Sequence, residues 1–204
     1  MKMKSMEDFY NATAADWADK WYLDETMLPL LEKFINLFEV SPRILDAGCG
    51  AGYESMRLFQ LGAEVVGVDI SEKSIELARL KNPNCRFEIM DCTKLDEKLG
   101  VFDGIVSIAL LVHIEDSKLQ SIFNNFKKII KQTGFLFVAF VGGQGFDEKR
   151  SFVEVNGEKY NRAFYLHQVN RVIKAAKEAG FDDLSEWFLN EPLTEWKYLV
   201  FQVQ

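Results

Sequence analysis

Three glycines at alternate positions, set between an apolar run and a helical pattern, constrain this chain more than any other feature of its sequence. The segment Arg43–Ser55 passes from Ile-Leu-Asp into Gly48, Gly50 and Gly52, and then into residues with helical periodicity. Glycine adopts positive φ without strain and lets a ligand lie directly against the main chain. The segment therefore predicts a buried strand, a ligand-binding turn and the start of a helix.

Apolar runs and helical patterns alternate along the chain after this turn. Strands that are apolar on both faces and alternate with helices are typical of a parallel sheet that is covered on both sides. Right-handed crossovers between such strands give a doubly wound α/β fold. The expected strands lie at 63–70, 85–90, 102–108 and 135–141, and the expected helices at 53–61, 71–80 and 116–131.

The pattern changes after Gly142-Gly143. The pair Asn156-Gly157 between two alternating runs favours a β-hairpin with a type I′ turn. One strand of a closing pair is expected to run antiparallel to the rest of the sheet. The elements expected here are a hairpin at 151–155 and 158–162, a helix at 168–179, and strands near Leu184–Leu189 and Trp196–Val203.

Aromatic residues crowd into the segment before the first strand. Trp17 and Trp21 are four positions apart, so they share one face of a predicted helix. That face is consistent with a helix pair packed on the sheet, and also with a lid that closes aromatic side chains over a ligand. The two interpretations are compatible, and both stay open at this point.

Composition limits the classes of partner. The net charge of −7 argues against a general nucleic-acid binder, whose surface should be basic. Three cysteines without metal-ligand spacing suit a reducing cytoplasm. The first residues lack a continuous apolar run, so neither a signal peptide nor a membrane span is expected. We therefore expect a cytoplasmic monomer or homodimer with a small-molecule partner, no nucleic acid and no membrane.

Polar residues follow the predicted strands where each strand ends. In an open parallel sheet, ligands bind beyond the carboxyl ends of the strands, at the point where the strand order switches. Asp69 lies 21 residues after Gly48, an interval at which a carboxylate meets the hydroxyls of a ribose. Each Asp alone could simply cap the next helix, but their ordered set favours a nucleoside site. The set comprises Asp46, Asp69, Asp91 and the segment Ser107–His113.

The turn itself favours one kind of nucleoside cofactor. A dinucleotide site wants a third glycine where this chain has Tyr53. Asp46 and Glu54 flank the turn without a Lys or Arg inside it, and two like charges 4 Å apart cost about 4 kcal/mol at an effective dielectric near 20. A pyrophosphate is therefore disfavoured. S-adenosylmethionine carries a sulfonium and an ammonium beside one carboxylate, which suits an acidic turn.

These motifs resemble those of the class I S-adenosylmethionine-dependent methyltransferases. The likeness runs from about residue 40 to 141 and continues more loosely to Phe181. It implies a Rossmann-like sheet of seven strands, mostly parallel, with the last one antiparallel. The motifs are Leu45-Asp-Ala-Gly-Cys-Gly-Ala-Gly52, Val68-Asp-Ile-Ser71, Met90-Asp-Cys92 and Phe102-Asp-Gly-Ile-Val-Ser through Leu111-Val-His113.

The resemblance also implies roles for individual residues. The turn would approach the methionine part of S-adenosylmethionine, the second strand end would hold its ribose, and the third would hold its adenine. The implied contacts to methionine are Gly48, Gly50 and Gly52, with Asp46 nearby, and the main chain of Ser107 and Ile108 for its ammonium. Asp69 would contact the ribose. The implied contacts to adenine are Ile70 for its face, Asp91 for its amino group and the Cys92 backbone for the ring edge.

Methyl transfer from a sulfonium needs alignment and exclusion of water, and a general base only if the acceptor must lose a proton. His113 is the candidate base, although packing beneath a lid explains it equally well, and His167 is a weaker candidate.

No magnesium-binding acidic cluster follows Ser107, so a metal is not implied. Aromatic residues favour a partly apolar organic acceptor, of small or medium size. Arg150 and Arg162 could meet an acidic group on it, or simply be exposed.

We expect a single methyltransferase domain over residues 1–204. An alternative is a domain that binds the same cofactor but modifies it or acts without catalysis. The retained Asp69 and glycines argue against loss of cofactor binding. The expected parts are an N-terminal helical lid or cap at 1–40, a cofactor-binding core at 41–141, a hairpin insertion near the acceptor site at 142–166, and closing elements at 167–204.

Overall fold

A computed structural model describes residues 3–143, 147–185 and 195–204, with the backbone alone for 147–152. Its helices are α1 (Met6–Trp21), α2 (Leu28–Ile35), α3 (Tyr53–Gln60), α4 (Glu72–Lys81), α5 (Leu119–Ile129) and α6 (Val169–Glu178). Its strands are β1 (Arg43–Ala47), β2 (Glu64–Asp69), β3 (Arg86–Ile89), β4 (Phe102–Ile108), β5 (Ile130–Val141), β6 (Asp147–Val155), β7 (Glu158–Leu166), β8 (Phe181–Asp183) and β9 (Trp196–Val203).

The main sheet has seven strands in the order β3-β2-β1-β4-β5-β9-β8. Strands β1 to β5 pair in parallel, and β9 pairs antiparallel with both β5 and β8. The chain moves outward from β1 to β2 and β3, and then returns to place β4 on the other side of β1. The predicted doubly wound fold, with its last strand antiparallel, is confirmed. The strand order switches between β1 and β4, which fixes where a ligand is expected.

Burial on both faces explains why the central strands are apolar throughout. Successive side chains of a strand point to opposite faces of the sheet. Ile44 packs with Phe34 of α2 on one face, whereas Leu45 joins Phe123 and Phe126 of α5 on the other, and all five side chains are fully buried. A strand covered by helices on both sides has no position for a polar residue until its end. The first polar residue of each strand end therefore marks the edge of the core.

The hairpin of β6 and β7 forms a separate two-stranded sheet. Asn156 and Gly157 both have positive φ, 52° and 77°, as a type I′ turn requires. The predicted turn is confirmed, and the strands extend further along the chain than expected. The hairpin is joined to the N-terminus, because the main chain of Lys4 bonds to Lys159 and Asn161.

Two element boundaries differ from the sequence-based expectation. The strand expected near Leu184–Leu189 is instead β8, which ends at Asp183 and buries Phe181 completely in the core; residues 186–189 lie outside the described ranges. The helix expected to reach Lys131 ends at Ile129, because Ile130 pairs with Phe102 and opens β5. In both places tertiary pairing, which local periodicity does not contain, sets the boundary.

Helix α1 begins with a capping box and packs against α4 and β7. The Ser5 hydroxyl accepts a hydrogen bond from the Asp8 amide at 3.1 Å, and Asp8 Oδ2 accepts one from the Ser5 amide at 2.9 Å. At the other end Trp17 and Trp21 stack with their ring planes 4° apart. Among the helices that the structure describes, none combines the length and hydropathy that crossing a bilayer requires.

Candidate active site

A cavity of about 660 Å³ opens at the carboxyl ends of β1 to β4. One face of α1 closes its other side, because Met6, Tyr10, Ala14, Trp17 and Trp21 recur every three or four positions and all line it. The sheet-side lining contains most of the site residues expected from the sequence. They are Gly48, Gly50, Asp69, Ile70, Asp91, Cys92, Ile108 and His113.

The glycine turn is shaped by backbone that bonds to the next strand. The amides of Gly48 and Cys49 both donate to the Val68 carbonyl, at 2.8 and 3.0 Å. Gly48 has φ +81°, and a Cβ there would approach the Leu110 side chain to 3.3 Å. Glycine at this position therefore keeps the turn both left-handed and close to the loop after β4. The result is an open main-chain surface at the floor of the cavity.

Asp69 holds the glycine turn against the second strand. Its Oδ2 accepts the Gly50 amide at 2.9 Å, and its Oδ1 accepts the Ser71 amide at 2.8 Å. Burial raises the pKa of the carboxyl, and these backbone hydrogen bonds oppose the rise. A carboxylate has about four lone-pair sites, so two amides leave capacity for further donors. Asp69 can thus both support the turn and face a ligand in the cavity.

Asp46, Gly52 and Ser107 lie outside the cavity lining, which differs from the contacts implied for them. Asp46 is buried beneath the turn; burial raises its pKa to about 7, and the Ser55 hydroxyl donates to it at 2.6 Å. Gly52 precedes α3, and a Cβ there would meet Asn82 at 2.8 Å. The Ser107 hydroxyl is buried within β4 and has no hydrogen-bond partner within the described ranges. The first two support the turn from behind.

The sequence analysis treated Glu54 as an unbalanced negative charge beside the turn, and this was wrong. Arg57 lies one turn along α3, and its Nη1 is 3.1 Å from Glu54 Oε1, with both side chains buried. The Arg57 guanidinium also donates to the carbonyls of Trp21 and Asp24 at the end of α1. Glu54 is therefore partly neutralised. A pyrophosphate is disfavoured instead by Tyr53, whose side chain lines the cavity at the third-glycine position.

Asp91 serves as a local cap and also lines the cavity. Its Oδ1 accepts the amide and the hydroxyl of Thr93, at 2.8 and 2.7 Å, and so begins a short 3₁₀ turn. Both interpretations offered by the sequence, cap and ligand contact, are compatible with this geometry, because Asp91 lines the cavity and its Oδ2 lies 3.9 Å from the exposed Lys94 Nζ.

The hydrogen bonds of His113 fix its tautomer. Its Nδ1 is 3.0 Å from the Ala163 carbonyl, which only accepts, so Nδ1 carries the proton. Its Nε2 is 2.6 Å from the Tyr10 hydroxyl and accepts from it. Burial lowers the pKa of His113 to about 4, the Ala163 carbonyl opposes this, and the Arg162 charge adds to it. The imidazole is therefore neutral near pH 7.

Tyr10 and Arg162 are cavity residues that the sequence did not identify as one site. Burial raises the pKa of the Tyr10 phenol, whereas the charge and hydrogen bonding of Arg162 lower it. The Arg162 guanidinium lies 5.2 to 5.6 Å from the ring centroids of Phe9, Trp17 and Phe164. Tyr10 was visible only as part of an aromatic cluster, and its partner is 103 positions away.

His167 is almost fully buried, donates from Nε2 to the Leu111 carbonyl at 2.8 Å, and lies outside the cavity lining. It packs the loop after β4 and does not face a ligand. Within the described ranges, no group of three or more His, Cys, Asp or Glu residues is arranged to hold a metal ion.

Part of the sequence is similar to a known protein family and to characterised relatives. A family profile described as a methyltransferase domain matches residues 44–134. A phosphoethanolamine N-methyltransferase of Zea mays is 28% identical in an alignment of 174 residues that covers 78% of this chain and 33% of that protein. A ubiquinone biosynthesis O-methyltransferase of Pelagibacter ubique is 32% identical over 48% of this chain and 41% of its own. The chain thus spans between a third and about two-fifths of these relatives.

Structural comparison gives the same fold over almost the whole chain. Magnesium protoporphyrin IX methyltransferase from Synechocystis PCC 6803, solved with bound SAM, superposes with a TM-score of 0.73 at 19% identity and covers 97% of this chain and 95% of its own. The PH0226 protein from Pyrococcus horikoshii superposes with a TM-score of 0.70 at 27% identity, over 88% and 89%. The likeness extends beyond residues 44–134 to the N-terminal helices and the closing strands.

Proposed function

Because the chain belongs to the class I S-adenosylmethionine-dependent methyltransferase superfamily, we propose that it transfers a methyl group from S-adenosylmethionine to a small or medium-sized, partly apolar organic acceptor. The observation that carries this proposal is the order of groups along one cavity. Asp91, Asp69 and the glycine turn follow one another at the ends of adjacent strands, and His113 faces them from the loop after β4.

The residues present fit this cofactor. Adjacent strands lie about 4.8 Å apart, so Asp91, Asp69 and Gly48 trace an elongated ligand lying across three strand ends. The turn offers bare main chain at Gly48, where a Cβ would crowd Leu110. A pyrophosphate is disfavoured by the Tyr53 side chain, which lines the cavity where a dinucleotide site has its third glycine. The arrangement therefore suits a nucleoside without phosphate.

Each cavity residue has a separate task toward the cofactor. Asp69 would bind the ribose hydroxyls, Asp91 the adenine amino group, and Ile70 the adenine face, while the Cys92 backbone meets the ring edge. Gly48 and Gly50 would adjoin the methionine part. When bound, S-adenosylmethionine supplies a methyl group on a sulfonium, already activated for displacement. The protein has to hold the acceptor in line and exclude water. Positioning alone can supply an effective molarity of roughly 10⁵ M or more.

His113 and Tyr10 would remove the acceptor's proton as a pair. The Tyr10 oxygen lies at the cavity wall, and its own proton points at His113 Nε2. As attack makes the acceptor's proton more acidic, that proton passes to the Tyr10 oxygen while the Tyr10 proton passes to Nε2. A base with a pKa of about 4 is weak toward a resting alcohol or amine, but it suffices for a group that is gaining positive charge.

The acceptor end of the cavity is aromatic and carries a fixed positive charge. The Arg162 guanidinium supplies that charge, and His113 beside it is neutral. Tyr10, Trp17 and Phe164 supply apolar surface around that charge. We therefore propose an acceptor that combines an apolar body with an anionic group. Phosphoethanolamine, named for the Zea mays relative, is one member of the class of anionic acceptors.

Transfer of labelled methyl groups tests the proposal. The chain is incubated with methyl-labelled S-adenosylmethionine and fractionated metabolite pools, and the label is followed into products. We expect the wild-type chain to label at least one fraction and Asp69→Ala to label none at the same cofactor concentration. Calorimetry should give binding heat with S-adenosylmethionine and not with NAD. Cofactor binding without transfer to any fraction would favour the non-catalytic alternative. Tight NAD binding would overturn the assignment of S-adenosylmethionine as the cofactor.

A further inference from the structure

The two histidines of the chain connect the same two elements in reciprocal fashion. His113 lies in the loop after β4, and its ring donates to the main chain of β7 at Ala163, 3.0 Å away. His167 directly follows β7, and its ring donates to the main chain of that loop at Leu111, 2.8 Å away. Of the two, only His113 lines the cavity, although His167 is the more deeply buried.

The loop that carries His113 begins in a backbone conformation that its own sequence does not favour. Ala109, the first residue after β4, has a φ of 59°. A residue other than glycine holds such a conformation where its surroundings impose it. The residues Leu111–His113 form a single 3₁₀ turn, whose hydrogen bonds have poorer geometry than those of an α-helix. The position of His113 therefore depends on contacts from outside the loop.

His167 supplies such contacts on both sides of His113. Its Nε2 donates to the carbonyl of Leu111, two residues before, and its Nδ1 lies 3.4 Å from Oδ1 of Asp116, three residues after. The Leu111 carbonyl only accepts, so Nε2 carries a proton, and the Asp116 contact is a hydrogen bond when the ring carries a second one. The other oxygen of Asp116 pairs with Arg171 of α6. One ring therefore contacts both ends of the segment that has His113 in its middle.

His167 is itself fixed by the main sheet. Its carbonyl accepts the Gly143 amide at 3.0 Å, just beyond the end of β5. Its ring packs between aromatic neighbours, with centroids 6.2 Å from that of Phe140 and 6.5 Å from that of Tyr165. Close-packed interiors have low compressibility, so a buried ring of this kind transmits position. The ring therefore connects the loop after β4 to the end of β5.

We propose that His167 is a positioning residue, which keeps His113 where its ring can bond to Tyr10 and Ala163. Its importance for methyl transfer rests on the proposed function, in which His113 acts with Tyr10 as the base. A misplacement of about 1 Å can cost roughly 10²-fold in rate. His167 would therefore affect transfer without touching the cofactor or the acceptor.

Nuclear magnetic resonance of the ring nitrogens tests this directly, because in an untagged, ¹⁵N-labelled His167 variant every histidine signal comes from His113. His167→Phe retains a ring without a donor, whereas His167→Gln places an amide nitrogen near the position of Nε2. In wild type and His167→Gln we expect the fixed Nδ1–H tautomer of His113, with a pKa of about 4. In His167→Phe the ring should exchange between tautomers, and its pKa should rise towards 6.5.

Transfer and binding provide the second readout. His167→Phe should slow label transfer to the fraction that wild type labels by about 10- to 100-fold, and His167→Gln by less than about threefold. Both variants should bind S-adenosylhomocysteine within about twofold of wild type, because His167 lies outside the cavity. The Leu111 carbonyl keeps the Ile114 amide at 2.9 Å in either variant, so it stays bonded.

Asn125→Leu is the matched control for a general loss of stability. The Asn125 amide also donates to a main-chain carbonyl, that of Thr93 at 2.7 Å, which lies outside the loop of His113. This variant should lower the thermal unfolding temperature without changing the tautomer or the pKa of His113. A change in His113 as large as that in His167→Phe would mean that any destabilisation releases the ring, and would overturn the proposal.

The remaining outcomes are equally separate. An unchanged tautomer and pKa of His113 in His167→Phe would overturn the proposal, and so would normal transfer after release of the ring. If His167→Phe does not fold, His167→Asn replaces it, since its shorter amide reaches only towards Asp116. Release of His113 in His167→Asn but not in His167→Gln supports the proposal, and equal behaviour overturns it. If wild type labels no fraction, the proposed function fails, while the titration of His113 still decides whether His167 positions it.

Discussion

The hydroxyl of Tyr10 donates a 2.6 Å hydrogen bond to Nε2 of His113, and so joins the first helix to the loop after β4. Because Nδ1 of the same ring donates to Ala163, the imidazole is held from both sides by α1 and β7. The candidate base is thus positioned by the two elements that border the acceptor end of the cavity. Its function and its packing depend on the same two bonds.

Removing His113 should slow transfer more than it weakens cofactor binding. We expect His113→Ala to lower kcat by roughly 10²- to 10⁴-fold, the range for a lost general base, with S-adenosylhomocysteine affinity changed less than about threefold. Tyr10→Phe, which removes only the hydroxyl, should lower kcat in the same direction. Single-turnover rates and calorimetry provide the two readouts. A normal rate in both variants would leave this pair as packing.

The free energy of unfolding should rise with pH between about 4 and 6.5 through His113. Burial lowers the pKa of His113 from 6.5 to about 4 in the folded chain. Between these values the unfolded chain binds the proton and the folded chain does not, so raising the pH stabilises the fold. At 1.36 kcal/mol per pKa unit the full effect is about 3 kcal/mol. Urea unfolding of wild type and His113→Gln across this range measures it as the difference between two curves.

Asp46 supplies the control for that experiment because its sign is opposite. Burial raises its pKa from 3.8 to about 7, so the folded chain retains a proton that the unfolded chain releases, and stability falls as the pH rises through this interval. Asp46→Asn should remove that loss of stability. The difference between the wild-type and Asp46→Asn curves should therefore slope in the opposite direction to the difference between wild type and His113→Gln. Parallel curves for wild type and His113→Gln would contradict the buried, neutral His113.

Asp91 and Asp96 allow cap and ligand roles to be separated. Each accepts the amide two residues ahead at 2.8 Å and begins a three-residue 3₁₀ turn, but only Asp91 lines the cavity. Replacing either by Ala should cost about 1 kcal/mol of stability, typical of a lost cap. Calorimetry should show weaker S-adenosylhomocysteine binding for Asp91→Ala alone, by about tenfold. Equal affinities in the two variants would make Asp91 a cap and nothing more.

The sequence predicted the sheet because each central strand is buried on both faces, which forces a continuous apolar run ended by a polar residue. It failed where a partner distant along the chain decides. Nothing local to Tyr10 indicates His113, and nothing local to Ile130 indicates its pairing with Phe102. The ion pair of Glu54 with Arg57 is different. Its spacing of three positions on a helix made it predictable, and the turn was assessed without it.

Arg162 should control recognition of the acceptor and not of the cofactor. If the acceptor carries an anionic group, the labelled product will be retained on an anion exchanger at neutral pH, and Arg162→Gln will lower its formation at limiting acceptor by about tenfold or more. S-adenosylhomocysteine affinity should stay within about twofold. Arg86→Gln is the control, because Arg86 is half-exposed and pairs with Glu88 outside the cavity. A neutral product, or an unchanged KM, would contradict the anionic acceptor.

Gly52 and Gly62 both have positive φ, +82° and +96°, but they differ in what a side chain would meet. At Gly62 a Cβ has open space, so Gly62→Ala should cost only the backbone strain, about 1 kcal/mol. At Gly52 the same Cβ would lie 2.8 Å from Asn82 Nδ2 and 3.1 Å from the Ala78 Cβ. Asn82 cannot move freely, since it donates to the Tyr22 hydroxyl at 2.6 Å, and Tyr22 donates to the Ala51 carbonyl in the turn.

The strain of Gly52→Ala should therefore spread into the glycine turn. We expect it to cost at least about 2 kcal/mol more stability than Gly62→Ala, the scale of overpacking in a tight site, and to weaken S-adenosylhomocysteine binding as well. Urea unfolding and calorimetry on both variants separate strain from function. Gly52 does not line the cavity, so any loss of affinity must be indirect, through strain in the glycine turn. Equal free energies of unfolding in the two variants would show that the turn accommodates the added methyl group without extra strain.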